Sequence, residues 1–335
     1  MIEVIFTIDY EIYGSGQGRI EDLVYEPTRQ LMNLFDRANA KLVVFAEAAE
    51  FEKIAEAASD PYIGKVYQQL RDLHDNGHEI ALHLHPQWCR ATFKDDGWEL
   101  DYSEYNLCRL EESRIEEIIR KSIRYLRSIL NDPGYRPISF RAGNWLFQPT
   151  IATARVLAKE GLKVDSSVFK GGRQHQHGLD YRPSVKNGYW WHFKDDVNVP
   201  DPEGILLEIP IYTQMVPFWK MVTGKRIGLQ KKSDLSGKRP SPMERIYHLL
   251  DRARFHQPLK FDFCRMTLEE LIRVIQSVLK EDQKTPSLYK PIVAIGHSKD
   301  MVDFNTVSAF LNYLQKSGIK TTTFKEAYPK CQSCV

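Results

Sequence analysis

The chain has 335 residues, of which 42% are hydrophobic, so it can bury a sizeable core. Its 46 basic and 44 acidic residues give a formal charge of +2, which argues against a dedicated nucleic-acid-binding protein. Five cysteines form no even disulfide framework, and no apolar run reaches the length of a membrane span. Because the chain also begins with a strand pattern instead of an apolar signal segment, we predict a reduced, cytoplasmic protein.

Strand and helix patterns alternate regularly through the first half of the chain. In chain order they predict a strand at 2–9, a helix at 27–40, a strand at 41–46, a helix at 61–75, a strand at 79–85, a helix at 115–130, a strand at 137–141 and a helix at 149–160. Strands that alternate with helices in this way are typical of an α/β fold with a parallel sheet.

The second half keeps this alternation but contains two insertions, at about 170–204 and 214–240. The first is rich in glycine and aromatic residues, and the second is basic, which suits a solvated loop, sugar-linked phosphates or peripheral contact with an anionic membrane. The remaining predicted elements are strands at 162–168, 205–209, 259–264 and 292–296, and helices at 242–254, 267–281 and 304–316. Since no dinucleotide-binding glycine fingerprint is present, we predict a single distorted (β/α)7–8 barrel over 1–330, with a tail at 331–335.

Ionisable side chains stand at the C-terminal ends of most predicted strands. In strand order they are Asp9 and Glu11, His83 and His85, Arg141, Asp165, Glu208, and His297. Active sites of such barrels lie at the C-terminal ends of the strands. We therefore predict a polar active site at this end of the barrel, which we call the mouth, with Glu208 among the groups that contact the substrate.

His83 and His85 are the strongest metal-ligand candidates. They stand two residues apart on a strand, so their side chains point to the same side and can converge on one ion. Two imidazoles and one carboxylate form a three-ligand site for zinc or a similar divalent ion, with a position left open for water. Asp9 and Glu11 share one strand face, so one can bind the ion while the other stays free as a general base.

The other strand-end residues can complete a hydrolytic site. His297 is a candidate general acid for a departing amine, with Asp165 available to hold its tautomer. Arg141 can orient the base carboxylate through a bidentate ion pair and keep it charged. Three tryptophans are candidates for substrate contacts: Trp145, Trp190 and Trp191. The last two can form a sugar-stacking wall or the buried side of a lid.

Five segments of the chain resemble, in order, the motifs of the polysaccharide deacetylases that carry a chitooligosaccharide deacetylase homology domain. They are Thr7–Glu11, Gly77–Pro86, Phe140–Gly143, Asp165, and Ile295–His297. The resemblance implies a distorted (β/α)7 barrel, a divalent metal and removal of an N-acetyl group from an amino sugar. It further implies that Asp9 is the base held by Arg141, that Glu11, His83 and His85 bind the metal, and that His297 is the acid partnered by Asp165.

The second motif, over residues 77–88, looks like a branch associated with the assembly of surface polysaccharides such as O-antigens. That likeness implies an N-acetylated sugar or sugar-linked precursor as the substrate and Zn²⁺ as the metal, with Co²⁺, Mn²⁺, Ni²⁺ or Fe²⁺ as alternatives. Tyr10 stands where the family has a second aspartate, and the two histidines are two residues apart instead of four. Another amide or ureide hydrolase, or an inactive sugar-binding or scaffold protein, therefore stays open.

Overall fold

The computed structural model describes residues 1–221, 243, 247, 251 and 254–332. Most of the predicted helix at 242–254 and most of the basic insertion lie outside the described residues, so peripheral membrane contact stays a prediction. The described strands are β1 Ile2–Tyr10, β2 Leu42–Glu47, β3 Glu79–Leu84, β4 Thr92–Lys94, β5 Gly97–Glu99, β6 Ser139–Ala142, β7 Val164–Asp165, β8 Arg173–Gln174, β9 Leu179–Asp180, β10 Trp191–Phe193, β11 Leu206–Glu208, β12 Thr213–Pro217, β13 His256–Lys260, β14 Lys290–His297 and β15 Lys320–Thr321. The described helices are α1 Glu26–Arg37, α2 Ala48–Ala57, α3 Ile63–Asp75, α4 Glu112–Leu130, α5 Ile151–Lys159, α6 Leu268–Asp282, α7 Phe304–Lys316 and α8 Phe324–Gln332.

Seven parallel strands form one curled sheet in the order β11–β7–β6–β3–β2–β1–β14, and the antiparallel β10 extends it beyond β11. The chain just after β11 turns back against β14, where Ile211 forms a parallel bridge with Val293. The Tyr212 N–H donates a hydrogen bond to the Val293 carbonyl at 3.0 Å. The sheet thereby closes into a distorted (β/α) barrel, and the predicted fold class is confirmed.

The segment predicted as the seventh strand, 259–264, behaves differently. Its first residues belong to β13, which pairs antiparallel with β12 in a hairpin. Only the following residues run beside β14, through a bridge between Asp262 and Ile295. The sequence pattern missed this hairpin because β12 lies inside what looked like a loop insertion.

The alternation of side chains along each strand decides what faces the barrel axis. On β1 the Tyr10 hydroxyl points outward and donates a hydrogen bond to Gln69 of α3 at 2.6 Å. Thr7 and Asp9, of the other parity, point inward and both accept hydrogen bonds from Arg141 of β6. Neighbouring residues in register on parallel strands share a side of the sheet, so the inner face collects polar groups near the C-terminal strand ends.

The helices cover the outer face of the sheet. The predicted capping box at the start of α6 is present, because Thr267 and Glu270 each accept a hydrogen bond from the other's backbone N–H. Across the part of the chain that the structure describes, no helix combines the length and the apolar content needed to cross a membrane.

Candidate active site

His83 lies near the C-terminal end of β3 with its side chain pointing into the barrel. It is in register with Glu47 on β2 and Arg141 on β6. Its Nδ1 lies 2.8 Å from the Arg141 carbonyl oxygen, so Nδ1 carries the proton and donates it. The Nε2 atom is buried without a hydrogen-bond partner, 3.4 Å from Oε2 of Glu11. Burial disfavours the charged ring, but Asp9 and Glu11 outweigh it and raise the pKa of His83 to about 9, so the ring is protonated when no metal ion is bound. A buried imidazole nitrogen and a carboxylate oxygen at this distance need a cation between them, either a proton or a metal ion.

His85 follows β3 directly and brings a second imidazole to the same place. Its Nε2 lies 2.9 Å from Oε2 of Glu11, and its ring centre lies 5.0 Å from that of His83. The chain after β6 packs directly against this ring at Gly143. A Cβ atom on Gly143 would stand 2.6 Å from the Leu84 carbonyl oxygen and 2.8 Å from the His85 ring, so only glycine fits there.

A fourth group, Glu47, completes a buried cluster with Glu11, His83 and His85, in which one ligand atom from each lies within 4.8 Å of the others. The sequence analysis missed Glu47, although it is the last inward residue of β2 and could have been found by strand parity. Burial raises the pKa of Glu47 to about 8. Burial also opposes ionisation of Glu11, but Lys299, whose Nζ lies 2.7 Å from Oε1, and His85 together hold the pKa of Glu11 well below its usual range.

The composition of this cluster fits a divalent cation. Two imidazoles and a carboxylate are ligands that zinc and similar ions prefer. Four carboxyl groups are buried here, and two of them form ion pairs: Asp9 with Arg141, and Glu11 with Lys299. The other two are Glu47 and Glu50, and burial raises the pKa of both. A divalent ion in the cluster would favour the charged form of Glu47.

Asp9 lies beside this cluster with different partners. Its Oδ1 accepts a hydrogen bond from Arg141 Nη1 at 2.7 Å, and Arg141 is fully buried. Burial raises the pKa of Asp9, but Arg141 and the nearby imidazoles outweigh it, so the pKa is lowered and the carboxylate stays ionised. His297 Nε2 lies 3.4 Å from Asp9 Oδ2, and burial lowers the pKa of His297 to about 4.

Asp165 and Glu208 do not join these residues. Asp165 is in register with Phe140, the neighbour of Arg141 with opposite parity, so its side chain lies on the outer face of the sheet. Glu208 is in register with Asp165 and shares that face. Burial raises the pKa of each carboxyl group. We predicted both residues at the mouth from the sequence. Strands of two and three residues are too short for their residue pattern to show which side chains point into the barrel.

Asp300 takes the place beside His297 that the sequence analysis expected for Asp165. Its Oδ2 lies 3.6 Å from His297 Nδ1 and accepts a hydrogen bond from Arg265 Nη2 at 2.6 Å. Asp300 stands three residues after His297 in the turn that follows β14. That short spacing is the signal by which it could have been found.

Of the three tryptophans predicted to contact substrate, the structure brings Trp145 to the mouth, where its ring centre lies 6.1 Å from that of His297. Trp190 donates its indole N–H to the Tyr289 carbonyl at 3.3 Å, immediately before β14. This is roughly 26 Å along β14 from His297 at its other end. Trp191 is buried and donates to the Val197 carbonyl at 2.7 Å.

No family model matches the chain, and no curated protein matches it. Among solved structures, the "putative polysaccharide deacetylase from Mycobacterium smegmatis" is 15% identical, with a TM-score of 0.49 over 93% of this chain and 83% of that one. Puue allantoinase is 13% identical, with a TM-score of 0.48 over 96% and 87% of the two chains. The 4-alpha-glucanotransferase from Thermococcus litoralis is 13% identical, with a TM-score of 0.51 over 98% of this chain and 38% of that one.

At such low identity the likeness to the glucanotransferase concerns the fold alone. Fold and site together define the chain as a (β/α) barrel with a buried cluster of candidate metal ligands at the C-terminal ends of its strands.

Proposed function

We propose that this protein is a metal-dependent amide hydrolase that removes the N-acetyl group of an amino sugar. One observation carries the proposal: β1 and the residue after it supply two inward carboxylates in different settings. Glu11 faces the histidine pair, while Asp9 is held ionised by Arg141 and faces His297. A ligand carboxylate next to a free base carboxylate is the arrangement that activation of water requires.

The residues of the chain have separate roles in this reaction. Glu11, His83 and His85 would hold the ion, which when bound supplies a Lewis acid that polarises the amide carbonyl and makes water more acidic. Asp9 takes the proton of the attacking water, and Arg141 keeps Asp9 charged so that it can do so.

His297 is placed to return that proton to the substrate. The low pKa of its ring leaves it neutral, with Nε2 3.4 Å from Asp9 Oδ2. As the water oxygen bonds to the acyl carbon, its proton passes to Asp9 and through His297 to the amine nitrogen when the C–N bond breaks. The immediate products are acetic acid and the free amine; the acid ionises to acetate and the amine takes up the released proton as an ammonium group, so atoms and charge balance. Asp300, on the Nδ1 side, can orient the ring.

Zn²⁺ is the ion that this donor set suits best. The motif resemblance supports an N-acetylated sugar, or a sugar-linked precursor of a surface polysaccharide, as the substrate. The particular sugar and the cytoplasmic location stay predictions.

Acetate release tests the proposal directly. The zinc-loaded protein should release acetate from at least one N-acetylated hexosamine, oligosaccharide or sugar nucleotide, and the metal-free protein should not. Ammonia or ureide products from the same preparation, without acetate, would instead indicate another hydrolase on this barrel. A protein that binds zinc and releases none of these products would be an inactive sugar-binding homologue.

A further inference from the structure

Lys260, the last residue of β13, brings a positive charge to the barrel mouth. Its Nζ lies 3.1 Å from the centre of the Trp145 ring and 5.1 Å from that of Phe169. Trp145 in turn meets His297 edge to face. The ammonium group is therefore next to the aromatic wall of the proposed active site, in a partly buried position.

The other cations near the mouth form ion pairs, but Lys260 forms none with a described residue. The paired cations are Arg141 with Asp9, Lys299 with Glu11, and Arg265 with Asp300. Asp262 and Asp9 act on Lys260 only from beyond ion-pair distance, and Asp262 Oδ1 already accepts the backbone N–H groups of Cys264 and Arg265. An ammonium group that is withdrawn from water without a carboxylate partner is costly unless a ligand supplies the negative charge. Consistent with this setting, burial lowers the pKa of Lys260 to about 7.

The backbone that carries Trp145, the aromatic residue in contact with Lys260, is strained, and this strained conformation sets the position of the Trp145 ring. Asn144 and Trp145 both have left-handed backbone angles, with φ of 54° and 60°. A bulky aromatic residue rarely adopts this conformation, and it persists only where its surroundings hold it. Here Tyr181 donates its hydroxyl to the Trp145 carbonyl at 2.7 Å, and Gln174 donates its amide to the Asn144 carbonyl at 3.0 Å. The strain places the indole where its ring supports the ammonium group.

We propose that Lys260 binds an acidic group, a carboxylate or a phosphate, on the amino sugar that this site hydrolyses, with Trp145 holding the ammonium group in position. The inference rests on the proposed function and adds the substrate class to it. Because Nζ covers one face of Trp145, that face serves to position a charge and is not free to stack on a sugar ring. A charge-assisted contact of this kind should favour an acidic ligand about tenfold.

Binding constants of three probes for the zinc-loaded protein, measured by calorimetry, test the inference. The probes are N-acetylglucosamine, N-acetylglucosamine 1-phosphate, and 2-acetamido-2-deoxyglucuronic acid. We expect the wild-type protein to bind at least one acidic probe about tenfold more tightly than the neutral sugar. The probe that is preferred tells phosphate from carboxylate. Lys260→Gln should reduce the preference to within about twofold, and Lys260→Arg should keep most of it.

Lys194→Gln removes the same charge at an exposed position after β10 and should leave the preference unchanged. A wild-type protein without any preference for acidic probes, or a preference that survives in Lys260→Gln, would overturn the inference. Acetate release, measured separately, keeps the two proposals apart. Acid preference without acetate would contradict the hydrolase, while acetate without acid preference would contradict only the role of Lys260.

Discussion

The two faces of the curled sheet bury carboxyl groups near the same strand ends, yet in opposite settings. On the inner face Asp9 has Arg141 beside it, and its pKa is lowered. On the outer face Asp165 and Glu208 stand beside each other, and burial raises the pKa of both. A cationic partner decides whether a buried carboxyl group is charged and able to act as a base, since Glu47 also lies on the inner face but has no such partner and a raised pKa.

The largest effect should come from removing the inner base. Asp9→Asn keeps the shape of the side chain but cannot accept a proton, so acetate release should fall by about 10³-fold to 10⁴-fold. The matched outer-face variant, Asp165→Asn, should retain activity within a few-fold. Equal losses in both variants, measured at the same zinc occupancy, would contradict the assignment of the two faces.

Removing the inner cation should be the most damaging change to stability. Arg141→Met leaves Asp9 buried without its partner, which should lower the free energy of unfolding by about 3–5 kcal/mol. Urea denaturation followed by circular dichroism measures this change. Arg182→Met, which breaks an exposed pair with Asp180, should cost less than about 1 kcal/mol. A small effect at Arg141 would mean that Asp9 is neutral in the folded protein.

The histidine pair should determine metal content. His83→Ala removes the imidazole nitrogen that faces Glu11, and we expect zinc affinity to fall by at least about 100-fold. His175→Ala alters the chain's other His-x-His pair and should retain the metal. Metal analysis after dialysis against a weak chelator distinguishes the two variants. Full zinc occupancy in His83→Ala would place the ion elsewhere.

The smallest effect concerns the outer carboxyl pair. Because the folded-state pKa of Glu208 is raised, the folded protein binds more protons than the unfolded chain, and stability is lost as pH rises towards that pKa. Glu208→Gln removes this loss, so the melting temperature of the variant relative to wild type should be higher at pH 8 than at pH 5. Glu203→Gln, at an exposed position, should show no such difference.

Much of the fold and the inner site could be predicted from the sequence, because in a long strand the alternation of residue types shows which side chains share a face. β1 has nine residues, and its alternation correctly placed Thr7 and Asp9 on one side. The pairing of His83 and His85 followed from the same rule. Trp145 was predicted to contact the substrate, and in the structure one face of its ring is covered by Lys260.

The other site residues could not be predicted, because their positions depend on contacts between segments that are far apart in the sequence. Asp165 lies in a two-residue strand, and only the register of that strand with β6 shows which of its side chains points into the barrel. Asp300 and Lys299 come from a turn after β14, and Lys260 from the β12–β13 hairpin, which lies outside the barrel sheet. Such residues reach the site through the path of the chain in space, so their roles emerge only once that path is known.

Gly143 offers a filter for recognising related chains. Because a side chain there would collide with the Leu84 carbonyl oxygen and the His85 ring, the glycine that follows Arg141-Ala142 is as diagnostic of this histidine geometry as the histidines themselves. A distant chain with the His-x-His spacing but a larger residue at this position should seat its second imidazole elsewhere. Mutant libraries aimed at the mouth should leave position 143 unchanged.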